Sequence, residues 1–534
     1  MVERLIGEIN ESLINARNYV LDGGEQILDG SLDETHNISP CPGATALASL
    51  ALILLGDEYK TSHQAGIQWL QKNRQISGWS KVPNGETDKE ITHLVKKVML
   101  GSQGGFLTKF FLSSQAQDLS DIVLSLGQNV VPGIEGPLPE ETHLPNILSD
   151  HVLQKLPPYG RPVVIAASIL ASRNINELGV SSAIEYLSKT QMKDGSWSED
   201  IVATSLAIIA LVRAQKTSQN IIKAGHWLKS KQYKNGAWPA FDQLYIWSTG
   251  LAIHTFMEFN RSSEEQNWIN RAAKWLAKSQ NSDGSYGSTP PFTQPDLDDT
   301  AVALMGLQHF DRRSASRSIE LLRRLQNKDG SWSTFPSYEG IPPTLECTFP
   351  VYIPSTDVTI HVLDVLWATS AWSGSSDVFN GLNWLLEKQL PTGEVPAVWY
   401  EGPIYGTAQT LELLSRWNQS WSRWRTAGQI YNTQQKTFNY LLSLQNTDGS
   451  WGSSVIETAL ALSAISLSHF PVPTETLTKG IRSIISGQLP NGSYNPSYQG
   501  IYAKGWNYEE PLTTALCAIK AIERFKRFQY LGRI

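Results

Sequence analysis

The sequence predicts an all-α protein built from two (α/α) barrel domains, or toroids, and two observations lead to this prediction. A short motif recurs along the chain, and a second apolar helix follows each copy, as in Val202–Ala214 after Trp197. The chain of 534 residues is too long for one simple core, and its length favours about two to four domains. Alternating helices of this kind close into toroids, although an open helical solenoid used for binding would account for the repeats equally well.

Each copy of the motif has an aromatic residue or Leu, then Leu, Gln, Gly and a final aromatic. The copy at Lys274–Tyr286 begins with an apolar helical face and ends at Asp283-Gly284, a turn that tolerates positive φ. Gln280 and Gln326 lie 46 positions apart, a spacing typical of stacked helix pairs. The other copies are Glu185–Trp197, His226–Trp238, Glu320–Trp332, Asn439–Trp451 and Arg482–Tyr494, with a variant at Asn383–Val395 and a degraded copy at Gln68–Trp79.

The composition favours a cytoplasmic protein without a nucleic-acid partner. The net charge is −6 and the pI is about 6.0, which argues against nucleic-acid binding. Three scattered cysteines, Cys41, Cys347 and Cys517, give neither a disulfide framework nor a metal spacing. The longest apolar run, Ala44–Gly56, is too short to span a bilayer. At most we expect peripheral membrane contact, with Val98–Leu112 as the candidate segment, and the oligomeric state stays open.

Three carboxylates, Asp296, Asp298 and Asp299, stand directly before an apolar helical run. Acidic residues at a helix start are ordinary caps, and metal binding is a second alternative. The third is a strong acid, because clustered like charges beside an apolar wall raise the pKa of one carboxyl, which then stays protonated. The helix N-terminus stabilises the anion left after proton loss. A carbon–carbon double bond is the kind of acceptor that needs such a donor.

A histidine one repeat downstream supports the acid interpretation. His361 has Asp357 four residues before it and Asp364 three residues after it, so that both can share its helix face. Flanking carboxylates favour the imidazolium form. An imidazolium bonded to the far oxygen of an aspartic acid would strengthen that acid as a donor. Alone, His361 would more often be a structural histidine.

The chain resembles the squalene–hopene cyclase family, the class II terpene cyclases. Its Gln–Trp repeats match the family repeat, and Asp296–Ala301, "DLDDTA", matches the family's DxDDTA acid motif. Asp357–Leu363, "DVTIHVL", matches the segment that holds the histidine partner of the acid. Trp399–Thr407, "WYEGPIYGT", matches an active-site stretch, and Ile246–Ala252 resembles the segment with a substrate-facing Trp.

The resemblance implies a role for each matching residue. Asp298 would be the general acid, with Asp296 and Asp299 as its carboxylate neighbours. His361 would be its hydrogen-bond partner, with Asp357 behind it, and Tyr405 would hold the water that reloads the proton. The residues expected to contact substrate are Trp247, Trp399 and Tyr400. Ring faces suit this task because they attract cations without attacking them.

The family fold implies a βγ arrangement of two α-barrels, one inserted in the other. Residues 1–20 would form a first helix that packs with the carboxy-terminal barrel. Residues 21–222 would form the inserted γ-type barrel, including the irregular segment from about Gly85 to Gly160. Residues 223–534 would form the β-type barrel with the acid motif.

The chain departs from the family in the stretches that usually supply aromatic rings. Gly284–Pro295 holds only Tyr286 and Phe292, and Lys504–Ile522 replaces the family's aromatic tail. Fewer rings imply fewer cation-stabilising contacts and a shorter isoprenoid chain of about C15–C20.

Two head groups remain open. The match of the histidine segment favours a prenylated aromatic acid, such as a geranylgeranylated hydroxybenzoate, with no cofactor. The alternative is geranylgeranyl diphosphate, as in copalyl-type cyclases, which would need basic residues and Mg²⁺. Glu199 and Asp200 could hold that metal, although helix-capping acids explain them as well.

Two rival functions share the toroid. Protein prenyltransferase β subunits need an Asp-x-Cys motif and a His around zinc, and Cys347, beside Glu346, lacks that pattern. A non-catalytic toroid that binds a lipid or a protein is the further alternative.

Overall fold

The computed structural model is almost entirely helical, as the sequence predicts. It describes residues 2–29, 36–81, 87–101, 160–172, 178–216, 218–241, 244–288, 295–336, 353–369, 375–417, 426–498, 500–503 and 506–530. The helices are α1 Val2–Asp29, α2 Pro42–Leu55, α3 Lys60–Lys72, α4 Lys89–Gly101, α5 Gly160–Ala171, α6 Leu178–Thr190, α7 Ile201–Arg213, α8 Gln219–Ser230, α9 Tyr245–Glu258, α10 Ser263–Ser279, α11 Leu297–Leu307, α12 Arg312–Arg324, α13 Thr356–Thr369, α14 Ser376–Glu387, α15 Ile404–Arg416, α16 Ala427–Ser443, α17 Val455–Leu467, α18 Thr474–Ser486 and α19 Pro511–Tyr530.

The carboxy-terminal barrel has a closed inner ring of six helices. Each of α9, α11, α13, α15, α17 and α19 contacts the next, and α19 returns to α9. Gly250 and Gly306 let α9 and α11 approach closely, because a Cβ on Gly250 would lie 2.5 Å from the Val302 carbonyl oxygen. In α11 every residue from Asp299 to Leu307 is buried. A carboxylate at the start of such a helix therefore stands against an apolar wall.

The repeated Gln residues join each outer helix to the next. Gln280 at the end of α10 donates through Nε2 to the Ser314 carbonyl of α12 at 2.9 Å, and to Gly284 of its own turn at 3.1 Å. The same bond joins Gln326 to Asp377, Gln389 to Thr433, Gln445 to Thr476 and Gln488 to Ser12. The last of these bonds brings α1 into the outer ring beside α18.

In the repeats that end in Trp, this residue joins the turn to its own outer helix and to an inner helix. The indole of Trp332 donates to the Leu322 carbonyl at 2.7 Å, at the end of its own outer helix. Its backbone N–H donates to the Thr359 hydroxyl of inner helix α13 at 3.0 Å. Trp197, Trp238 and Trp451 repeat both bonds. The recurrent Gln and Trp are thus structural.

The amino-terminal core packs α2, α5 and α7 together, with α3, α4, α6 and α8 against them. Two findings bear on the predicted domain boundaries. Helix α1 continues to Asp29, past residue 20, and Ile27 belongs to the carboxy-terminal core. The boundary after residue 222 falls inside α8, and Trp227 and Trp238 pack in the amino-terminal core. The division stays a prediction, and these contacts favour a boundary near residue 240.

A two-stranded hairpin, β1 Gly500–Ala503 and β2 Trp506–Tyr508, precedes the last helix. The helical pattern did not predict it. Within the described ranges, no helix is long and apolar enough to cross a membrane. Most of the candidate membrane segment Val98–Leu112, from residue 102 onward, lies outside the described residues, as does Cys347.

Candidate active site

Asp296 caps helix α11. Its backbone is extended, and its Oδ1 accepts the backbone N–H groups of Asp298 at 2.9 Å and Asp299 at 3.1 Å. The capping alternative therefore describes Asp296 well. The Asp296 side chain is thus used at the start of the helix. The carboxyl of Asp298 makes no such cap and has another partner.

That partner is His361. Asp298 Oδ1 lies 2.7 Å from His361 Nδ1, although the two residues are 63 positions apart. Asp298 sits in the first turn of α11 and His361 in the second turn of the neighbouring inner helix α13. The histidine side chain is 8% exposed and that of Asp298 is 16% exposed. The acid thus keeps an open edge while its partner is enclosed.

The second nitrogen of the histidine meets Tyr405. His361 Nε2 lies 3.2 Å from the phenol oxygen of Tyr405, which begins α15. Tyr400 stacks flat on Tyr405, with ring centroids 3.5 Å apart. The edge of Trp247 lies beside the histidine, with centroids 5.4 Å apart. Asp298, His361 and Tyr405 therefore form one line of polar contacts walled by aromatic rings.

Asp357 lies one helix turn before His361, and its charge raises the pKa of the histidine. Its Oδ2 also accepts the backbone N–H groups of Val398 at 2.9 Å and Trp399 at 2.6 Å. It holds the loop that carries Trp399, whose indole donates to the Thr334 hydroxyl at 2.8 Å. Asp364 likewise accepts from Arg416 at 2.8 Å and from the Trp417 indole at 2.9 Å.

Two carboxyls beside Asp298 bind protons more tightly than ordinary aspartates. Burial, reinforced by the charge of Asp298, raises the pKa of Asp296 to about 7. Burial and the charges of Asp296 and Asp298 raise the pKa of Asp299 well above its usual value. Because these two carboxyls interact, they titrate as a pair.

The histidine is favoured in its charged form. Burial alone would lower the pKa of His361, but the charge and hydrogen bond of Asp298, with the charges of Asp357 and Asp364, raise it above 6.5. Both ring nitrogens then donate, one to Asp298 and one to Tyr405. Burial raises the pKa of the Tyr405 phenol, and Asp357 and Asp298 add to the effect, so it stays protonated.

Sequence reasoning missed Tyr508 of strand β2. Burial raises the pKa of its phenol, and the charges of Glu510, Asp299, Asp298 and Asp296 add to the effect, so the phenol lies within electrostatic range of the acid cluster. Phe241 meets it edge-on, with centroids 4.9 Å apart. Tyr508 lies in the segment expected to lack the family's aromatic tail. The aromatic residues just before its last helix were the available signal.

A cavity inside the inner ring extends from Tyr405 at the start of α15 to Arg416 at its end. One end is formed by Trp247, His361 and Tyr405, and the other by Arg416 and Lys520. This second end belongs to a buried ion network, in which Arg524 pairs with Glu258 at 2.9 Å and with Glu412 at 2.8 Å.

Charges four residues apart in otherwise apolar helices were the sequence signal for this network. Within this network His254 is neutral, because burial and the charges of Arg416 and Lys520 lower its pKa to about 4. Burial opposes ionisation of Glu258, but Arg524, Arg416 and Lys520 outweigh it and lower its pKa to about 2. The network is therefore a set of paired charges.

Glu199 and Asp200 lie outside this site. Asp200 caps α7, its Oδ1 accepting the backbone N–H of Ala203 at 2.6 Å, and Glu199 has a left-handed backbone, with φ 53°. Over the described ranges, no group of three His, Cys, Asp or Glu side chains could hold a metal ion. The capping interpretation therefore fits Asp200, and a metal there stays a prediction.

The fold and site together define a helical double barrel with a buried Asp–His pair at the mouth of an inner ring. Comparison with known families agrees: residues 198–291 and 290–456 match the squalene-hopene cyclase C-terminal domain. This segment, just under half of the chain, matches the family that the sequence motifs predict.

Named relatives agree with that assignment. The chain is 26% identical to lanosterol synthase from Pneumocystis carinii over 256 residues, which cover 42% of this chain and 35% of that protein. It is 25% identical to drimenyl diphosphate synthase from Streptantibioticus cattleyicolor over 256 residues, which cover 46% and 44%. The chain thus spans less than half of the length of these curated relatives.

The fold is also that of a solved structure, ent-copalyl diphosphate synthase from Streptomyces platensis. The TM-score is 0.60 at 16% identity, and the match covers 97% of this chain and 100% of that one. The predicted all-α double-barrel fold is therefore confirmed.

Proposed function

We propose that the protein is a class II terpene cyclase, an enzyme that starts cyclisation by protonating an alkene. The contact of 2.7 Å between Asp298 and His361 carries this proposal. A general acid needs a pathway to the substrate and a partner that stabilises its anion. Asp298 has both, because it keeps a partly exposed edge and bonds to a histidine that favours the charged form.

The proposed reaction is an isomerisation. Asp298 transfers the proton on its outer oxygen to the terminal alkene of a prefolded isoprenoid chain, leaving a tertiary cation. Neighbouring alkenes attack in turn, each closing a ring and moving the cation along the chain. A base then removes a proton to leave an alkene with the substrate's formula; if water adds to the last cation instead and loses a proton, the product is an alcohol one water heavier. No redox step occurs.

The side chains around Asp298 would support each stage. After proton loss the carboxylate is stabilised by the His361 N–H and by the N-terminus of α11. Tyr405, bonded to the other ring nitrogen, would hold the water that reloads the acid. The rings of Trp247, Trp399 and Tyr400 would contact the chain and stabilise its cations.

For the substrate we prefer a prenylated aromatic acid with about C15–C20 of isoprenoid chain, since the stretches Gly284–Pro295 and Lys504–Ile522 hold fewer rings than the family's. The match of the histidine segment to squalene–hopene cyclases, whose substrate lacks a diphosphate, supports this head group. A prenyl diphosphate is the second candidate. Similarity to drimenyl diphosphate synthase supports it. For that substrate, Mg²⁺ would help to bind the diphosphate.

The test is direct. Purified protein is incubated with a geranylgeranylated hydroxybenzoate and separately with geranylgeranyl diphosphate, each with and without EDTA, and products are identified by mass spectrometry. We expect a cyclic isomer of the aromatic acid that EDTA does not suppress. Cyclic product from the diphosphate alone, lost with EDTA, would overturn the preferred head group.

Asp298→Asn tests the acid itself. The amide keeps a hydrogen bond to His361 but cannot protonate an alkene, so turnover should fall by at least about 10³-fold. Asp377→Asn is the matched control, because Asp377 also stands in the first turn of a helix and pairs with Arg323 at 2.9 Å on the outer ring. Equal turnover of Asp298→Asn and wild type would show that Asp298 is not the acid, whereas no turnover in either protein would favour the non-catalytic toroid.

A further inference from the structure

Four polar groups join the starts of α9 and α19 next to the site. The Trp247 indole N–H donates to the Thr513 hydroxyl at 3.1 Å. Thr513 in turn donates its backbone N–H to Glu510 Oε2. The other oxygen of Glu510 lies 2.9 Å from the Ser248 hydroxyl, and Ser248 follows Trp247 in the first turn of α9. One carboxyl therefore contacts both helix starts.

We propose that Glu510 is a positioning residue: as a neutral acid it clamps the first turns of α9 and α19 and thereby fixes the Trp247 indole beside His361. This inference rests on the proposed function, because the indole it positions belongs to the proposed substrate cavity. It adds a residue at the start of the last helix to a site otherwise built from α9, α11, α13 and α15.

Counting hydrogens favours the neutral form of Glu510. The Ser248 hydroxyl lies within hydrogen-bond distance of both the Leu244 carbonyl at 2.9 Å and Glu510 Oε1 at 2.9 Å. A hydroxyl has one hydrogen and can donate only once, and the carbonyl can only accept. If Glu510 carries a proton, it donates to Ser248, and Ser248 donates to Leu244, so each bond is made.

The surroundings agree with a neutral carboxyl. Glu510 is 8% exposed, and burial raises its pKa, while the bonds from Thr513 and Ser248 oppose the rise. It follows Tyr508 by two residues, so the same clamp holds the end of strand β2, which carries the Tyr508 ring. A shift of the clamp would move two rings of the site together.

If Glu510 is neutral, two substitutions at this position should differ in their effect on the clamp. In Glu510→Gln the amide N–H₂ can donate to Ser248 and the amide oxygen can accept from Thr513, so the clamp survives. In Glu510→Leu the shape is similar but both bonds are lost. A displacement of about 1 Å in a positioning group can cost about 10²-fold in rate. We therefore expect Glu510→Gln to act like wild type and Glu510→Leu to lose about tenfold to 10²-fold in kcat.

Glu457→Leu is the matched control. Glu457 is 6% exposed and also stands at the start of an inner helix, where it accepts from the Ser453 backbone at 2.9 Å and the Ser454 hydroxyl at 2.8 Å. The Glu457→Leu substitution also removes a buried glutamate from a helix start, with the same kind of loss in folding stability, but Glu457 does not contact Trp247. Its product ratio should equal that of wild type.

Two readouts separate this inference from the proposed function. The first is the indole ¹H–¹⁵N resonance of Trp247, assigned by its loss in Trp247→Phe, which should move in Glu510→Leu and stay in place in Glu510→Gln and Glu457→Leu. The second is the ratio of fully to partly cyclised product, which should change in the same variant only.

The resonance requires no turnover. If wild type makes no cyclic product while the resonance follows this pattern, the proposed function fails and the clamp stands. An unmoved resonance in Glu510→Leu, or a Glu510→Gln that behaves like Glu510→Leu, overturns the clamp.

Discussion

Asp357→Asn tests the electrostatics of the site through stability. Asp357 is 1% exposed, and it accepts two backbone N–H groups from the loop of Trp399. Burial raises its pKa from 3.8 to about 6, reinforced by the charge of Asp298 and opposed by those N–H bonds. A pKa shift of that size corresponds to a free-energy difference of about 3 kcal/mol between the two protonation states.

The sign follows from proton binding. The folded protein holds this proton more tightly than the unfolded chain, so wild type loses stability as the pH rises from about 4 through 6. Asparagine does not ionise, and its amide oxygen can still accept from the loop. The stability of Asp357→Asn relative to wild type should therefore rise by about 3 kcal/mol between pH 4 and pH 8.

The assay compares Tm for both proteins across that range at constant ionic strength. Asp311→Asn provides a control whose carboxyl titrates below this range. Burial raises the pKa of the Asp311 carboxyl, but bonds from Ser314 and Arg313 outweigh it and lower the pKa below 3.8. The stability that Asp311 contributes is lost only below about pH 4, so the difference in Tm between this variant and wild type should stay constant from about pH 4 to pH 8. A difference in Tm between Asp357→Asn and wild type that stays constant with pH would refute the account of the buried carboxyl.

Two further variants probe the reaction. In Tyr405→Phe the hydroxyl next to His361 Nε2 is lost, so we expect a single-turnover experiment to show a normal first round and a steady-state rate lower by about 10²-fold; equal losses in both phases would contradict a role in reloading the acid. In Gly500→Ala the added Cβ would lie 2.7 Å from the Tyr508 ring, so the ring must move and the product profile should shift. An unchanged profile by mass spectrometry would mean that Tyr508 does not contact the substrate.

Local signals in the sequence predict most of the fold. A helix ending at Asp283-Gly284 needs only a polar turn and positive φ, which Gly284 supplies at 94°. The repeat spacing then implies stacked pairs. The hydrogen bonds that make the repeat Gln necessary join different outer helices, as from Gln280 to Ser314. Those bonds could not be deduced before the barrel was assembled.

The acid and its histidine could be paired from sequence because both stand near the starts of consecutive inner helices, and such starts meet at one end of a ring. For Asp357 the same reasoning reaches only part of the arrangement. Helical spacing places it near His361, where its charge raises the pKa of the histidine, but spacing does not show that a loop brings two backbone N–H groups to its carboxyl. A buried carboxylate is stabilised more by such donors than by sharing an already bonded imidazole.

Glu510 shows where local sequence reasoning ends. In the sequence it is one of two glutamates before a proline at a helix start, and a cap explains it fully. It acquires a second partner because the inner ring closes, which sets the first turn of α19 against that of α9, 262 positions away. A closed ring brings its first and last elements into contact. Side chains at that seam can therefore govern a site whose recognisable motifs all lie elsewhere in the chain.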